Sequence, residues 1–103
     1  HRAAGVWLRA NADDRDRVLC DSSAIKYYCG LERSYASFGD VPGTGQQAYV
    51  YLKDNGVRFV AIVDWEDWYP SGKWFPELVQ GSGTAQYLLR GSFGWGTYVY
   101  EVL

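Results

Sequence analysis

Residues 48–63, AYVYLKDNGVRFVAIV, constrain the fold more than any other stretch of the chain. Two apolar runs flank Asp54-Asn55-Gly56. Asn-Gly in that setting is the strongest short hairpin signal, because a type I′ turn needs φ > 0 at both central residues and these two tolerate it. With Asn55 and Gly56 as the loop, Leu52 faces Phe59, Tyr51 faces Val60, Val50 faces Ala61 and Tyr49 faces Ile62. Side chains alternate across a strand. One face then carries Val50, Leu52, Phe59 and Ala61, and the other Tyr49, Tyr51, Val60 and Ile62. Both faces are apolar, which predicts a central pair rather than a pair with one wet side.

The rest of the chain reads as short strands separated by turn signals. Residues 6–10 and 18–20 are predicted strands, with an acidic turn at 11–16 between them. Residues 25–29 read as a strand because Ile and Tyr favour extended backbone. Asp21-Ser22-Ser23 offers the alternative of an N-cap for a short helix over 24–28. Glycine and proline make residues 30–47 loop-like. A helical turn is expected at 76–79. Strands follow at 85–90, with Tyr87 and Leu89 on one face, and at 97–103, with Tyr98, Tyr100 and Val102 on one face. A glycine-rich turn at 91–96 joins them. Six to seven short strands in 103 residues predict a single all-β domain, an antiparallel sandwich or small barrel with room for one short helix.

Composition excludes several functions. The chain is 48% hydrophobic and 17% aromatic, too apolar for a disordered segment. A net charge of −2 with both signs spread along the chain argues against a nucleic-acid partner. No apolar run approaches the ~20 residues that a membrane span needs. Cys20 and Cys29 are too few and wrongly spaced for a zinc site. They predict a local disulfide, stabilising by roughly 3 kcal/mol in the chain-entropy model. With methionine absent, that pairing predicts a secreted, processed protein.

Chemistry is harder to place. His1 is the single histidine, so an imidazole-based catalytic group has little to build on. Copper held by an N-terminal histidine needs a second histidine, which is missing. Asn11, Asp13, Asp14 and Asp16 form an oxygen-rich turn of the kind Ca²⁺ prefers, without the glycine and distal glutamate of an EF-hand and with Arg15 and Arg17 beside it. No cofactor or metal is expected. Asp64 and Glu66 on a strand would stand roughly 6–7 Å apart, which permits a small carboxylate-based hydrolase.

The densest feature is aromatic. Trp65, Trp68, Tyr69, Trp74 and Phe75 fall within eleven residues, among Asp64, Glu66, Asp67 and Lys73. Aromatic planes stack on the C–H faces of sugar rings, and carboxylates accept hydrogen bonds from hydroxyls. Trp65, Glu66, Asp67, Trp68, Tyr69, Lys73 and Trp74 therefore predict a glycan-binding surface, to which Trp95 between Gly94 and Gly96 adds if the final strands lie nearby. The same residues suit a secreted inhibitor, effector or toxin that grips another protein, since Trp and Tyr dominate such contacts. They also suit a lid over a thin core, or a face for weak self-association of a monomer.

Overall fold

The computed structural model describes residues 1–63 and 71–103. Its elements in chain order are α1 (Arg2–Asn11), β1 (Arg17–Leu19), α2 (Ser23–Cys29), β2 (Tyr35–Ala36), α3 (Gly45–Asp54), β3 (Val57–Val63), α4 (Ser71–Trp74), β4 (Tyr87–Ser92) and β5 (Thr97–Val102). Short 3₁₀ turns occupy Phe38–Asp40 and Pro76–Leu78, the second where a helical turn was predicted. The strands form one five-stranded sheet in the order β2-β1-β3-β5-β4. β1 is parallel to β2 and to β3, whereas β5 is antiparallel to both β3 and β4. The fold is mixed α/β, not the all-β sandwich or barrel that the strand pattern predicts.

The central departure is at Asn55-Gly56. Residues 45–54 are helix, so no hairpin forms there. Asn55 N–H reaches Tyr51 O at 3.0 Å and Gly56 N–H reaches Lys53 O at 3.4 Å. The Asn55 side chain also bonds Tyr51 O at 2.8 Å. Gly56 has φ 67°, the left-handed conformation that ends helices. Asn-Gly signals positive φ, and a helix end meets that demand as well as a hairpin does. Ala48 and Leu52, four residues apart, are both fully buried, which is the helical period rather than the strand period.

Two other predicted strands are helices. In α1, buried Ala4, Gly5 and Leu8 lie on one stripe, and its Ala, Leu and Arg residues are strong helix formers. In α2, the Ser22 hydroxyl accepts from Ile25 N–H at 3.3 Å, as an N-cap does. Ile25 and Cys29 point together into the core. Tertiary burial at four-residue spacing outweighs the strand preference of Ile and Tyr.

β3 is a strand as predicted, with Phe59 and Ala61 on one side and Val60 and Ile62 on the other. Its partners are β1 and β5 rather than residues 49–52. β5 is close to its prediction, and β4 lies at Tyr87–Ser92 rather than 85–90, taking in Gly91 and Ser92 of the predicted turn; Val102, Tyr100 and Tyr98 share a face with Tyr87 and Leu89 as predicted.

Helices cover both sides of the sheet. α1 and α2 pack with Phe59, Ala61, Val63 and Val99. α3, Phe75 and Leu78 pack with Val60, Ile62, Tyr87 and Tyr100. A chain of edge-to-face rings runs through the second layer, Phe38 on Phe75, Phe75 on Tyr87 and Tyr87 on Tyr49, with centroids 5.8–6.0 Å apart. The aromatic content is thus in large part core.

No disulfide forms. Cys20 follows β1 and Cys29 ends α2; both are buried free thiols in the α1–α2 layer. The nine-position spacing that predicts a local disulfide instead leaves two unbonded thiols, one after β1 and one at the end of α2.

Both borders of the described sheet are modified. β2 is two residues long. Along β4, Thr84 N–H bonds Tyr87 O at 2.8 Å, and Gly83 lies so close that a Cβ there would stand 3.0 Å from Tyr87 O. A register shift interrupts β4 between Leu89 and Gly91.

Candidate functional site at the carboxyl end of the sheet

The connection β1-α2-β2 runs over one face and β2-α3-β3 returns over the other. The carboxyl ends of β1 and β3 therefore flank a topological switch point, the usual ligand position in open α/β sheets. β4 runs parallel to β3, so the β4–β5 turn lies at this same end. In the β3–β5 register Val63 is opposite Thr97, two residues from Trp95.

That turn is unusual. Gly94, Trp95 and Gly96 have φ of 81°, 55° and 67°. Phe93 N–H bonds Thr97 O at 2.9 Å and Thr97 N–H bonds Gly94 O at 3.0 Å, which locks the excursion in place. The two glycines accept positive φ freely. Trp95 does not, and a non-glycine residue in this region costs roughly 1–2 kcal/mol. The fold holds Trp95 there with its side chain 85% exposed. Phe93, by contrast, packs against the α1–α2 layer.

The remaining predicted site residues divide. Trp65, Glu66, Asp67, Trp68 and Tyr69, with Asp64, lie outside the described residues; they follow directly from Val63, whose side chain belongs to the core. Lys73 is exposed. Trp74 is half-buried and its indole N–H donates to Val41 O at 3.1 Å. Phe75 is fully buried. Of the aromatic cluster, these last two rings serve the core.

Sequence reasoning gave little weight to a second group at this end. His1 Nδ1 lies 3.0 Å from Ser22 Oγ, and the Asp21 carboxylate accepts from Phe38 N–H at 3.1 Å. Ser22 is 1% exposed and its oxygen already accepts from Ile25 N–H. Ser22 caps α2, and its burial gives substrate no approach to the hydroxyl. The cap signal was legible in Asp21-Ser22-Ser23; the histidine contact was not.

The acidic turn at 11–16 is filled from within. Arg33 donates from Nη1 to the Asp13 and Asp16 carbonyls and from Nη2 to the Ala12 carbonyl. These are oxygens that a cation would use, and the guanidinium takes that place. The Asp16 carboxylate is committed to Asp13 N–H and to Arg58 Nη1, each at 2.8 Å. Among the described residues no group of three His, Cys, Asp or Glu side chains could hold a metal ion, and no helix is long and apolar enough to cross a membrane.

No protein-family model, curated protein or solved structure matches this chain.

Proposed function

We propose that this domain is a recognition module that binds glycan at the carboxyl end of its sheet, with Trp95 as a stacking platform. The observation that carries the reading is Trp95 itself: a large apolar ring, 85% exposed, on a backbone that is strained for tryptophan. Observed strain at an exposed side chain points to use. A flat ring free on the surface suits the C–H face of a sugar. Val63 lies opposite Thr97, and the polar and aromatic residues 64–69 that follow it in sequence carry the chemistry for hydroxyl groups. Secretion remains part of this proposal, because polysaccharide is met outside the cell; the free thiols no longer argue for it.

Tryptophan fluorescence titrated with a panel of soluble polysaccharides tests the reading. A blue shift with at least one polymer is expected, and Trp95→Ala should weaken that binding about thirtyfold, as loss of a hot-spot ring worth about 2 kcal/mol does. Trp95→Gly should weaken binding to the same degree while raising unfolding stability by about 1 kcal/mol, because glycine removes the backbone strain. No shift with any polysaccharide, with one protein retained from culture supernatant on immobilised domain, would replace glycan with a protein target.

A further inference from the structure

The outward side of the α1–α2 layer carries charge and apolar surface in a pattern that the glycan reading does not use. α1 and α2 hold two exposed cations, Arg2 and Arg9, and a half-buried Lys26 over the Tyr35 ring at 5.5 Å, with no acidic residue, in a chain whose net charge is −2. On α1 the buried stripe of Ala4, Gly5 and Leu8 leaves Val6 facing outward, 51% exposed. On α2 the buried Ile25 and Cys29 leave Tyr27 facing outward, 66% exposed. Leu31, just beyond α2, is 70% exposed. Arg2 lies over the Tyr28 ring at 5.6 Å, which joins the two helices across this surface. The neighbouring carboxylates Asp14 and Glu32 line a cleft at the helix ends that they share with Arg9 and Arg33.

Exposed Val, Tyr and Leu side chains among cations match the boundary of a bilayer, where tyrosine sits at headgroup level and basic residues meet lipid phosphates. A polyanion in solution would use the charges and leave the apolar side chains wet. We infer that the outer face of α1 and α2 rests on an anionic lipid surface. Contact is peripheral, through side chains on the helix exteriors, and leaves the carboxyl end of the sheet to its own ligand.

Sedimentation of the domain with phosphatidylglycerol–phosphatidylcholine vesicles, against phosphatidylcholine vesicles alone, tests the inference. The domain should pellet with the anionic vesicles, less so as salt is raised. Arg2→Gln and Arg9→Gln should each weaken partition about fivefold, and Arg15→Gln, outside this face, should leave it unchanged. Tyr27→Ser should weaken vesicle binding without changing binding to dextran sulfate. Equal partition onto neutral vesicles, absence from the anionic pellet, or vesicle binding indifferent to Tyr27→Ser would each overturn the lipid assignment.

Discussion

Gly5 decides how closely two helices approach. A Cβ at this position would stand 2.6 Å from Tyr28 Cβ and 2.7 Å from Ile25 O. Neither atom is the end of a flexible side chain, so α1 and α2 would have to separate. Gly5→Ala should therefore destabilise the fold by about 1–3 kcal/mol, although alanine is the better helix former; urea denaturation measures it. Asn55-Gly56 shows why residue chemistry underdetermines structure. The hairpin reading asks for left-handed backbone at both 55 and 56; Gly56 adopts it and Asn55, with φ −101°, does not. The sequence does not state whether a helix or a strand arrives there. Tyr49, Val50 and Tyr51 favour a strand, whereas Ala48 and Leu52 bury together as a helix stripe. Burial prevails, and only the fold reveals what each stripe meets. Trp95 between two glycines was legible as a turn residue; its 85% exposure was not.

Elements defined by the sheet were read better than those defined by helix packing. From Phe59 to Val63, β3 is a continuous apolar run, as a strand buried on both faces must be. β4 and β5 are joined by a local turn, so the face shared by Tyr87, Leu89, Tyr98, Tyr100 and Val102 was readable, although a bulge between Leu89 and Gly91 breaks the alternation. α1 and α2 failed because short amphipathic segments with β-branched or aromatic residues satisfy both periods. The consequence at α2 is chemical. Cys29 sits on the helix face beside Ile25, and Cys20 Sγ is directed at Ser22 O at 3.7 Å. Burial pushes the Cys20 thiol up to about 12 from 9.0, so it is a poor nucleophile at neutral pH. A thiol-disulfide reagent should find neither cysteine in the native protein and both in guanidinium without reductant. Two unreactive sulfurs in guanidinium would restore the disulfide. The raised folded value adds stability below pH 9 that is lost as pH climbs towards 12.

Across the whole molecule, charge ties sequence-distant parts of the sheet. Arg58 on β3 bonds Asp16 before β1 at 2.8 Å and Glu101 on β5 at 3.3 Å, while Arg90 on β4 reaches Glu101 at 3.6 Å. Burial alone would raise the Asp16 pKa. The Asp13 N–H and the Arg58 guanidinium overcome that and hold it below the usual carboxylate range. A carboxylate depressed by folding contributes stability that is complete above its unfolded value near 3.8 and disappears as pH falls through the lower folded value. Arg58→Met should lessen stability at neutral pH and flatten the acid limb of a stability–pH curve below about pH 4. An unchanged acid limb would mean that Asp16 draws nothing from Arg58. None of this network could be read in advance, because its members are 42 and 43 residues apart and meet only once the strand order exists.

The borders of the sheet carry a consequence for life at high concentration. A strand rim with free amides and carbonyls recruits copies of itself, and such recruitment starts fibrils. One rim here is two residues long. The other is occupied by the protein's own Gly83 and Thr84 and broken by a bulge. A crowded native solution should therefore stay dark to thioflavin T, and replacing Gly83 with valine, which pushes that cover away from Tyr87, should let it glow.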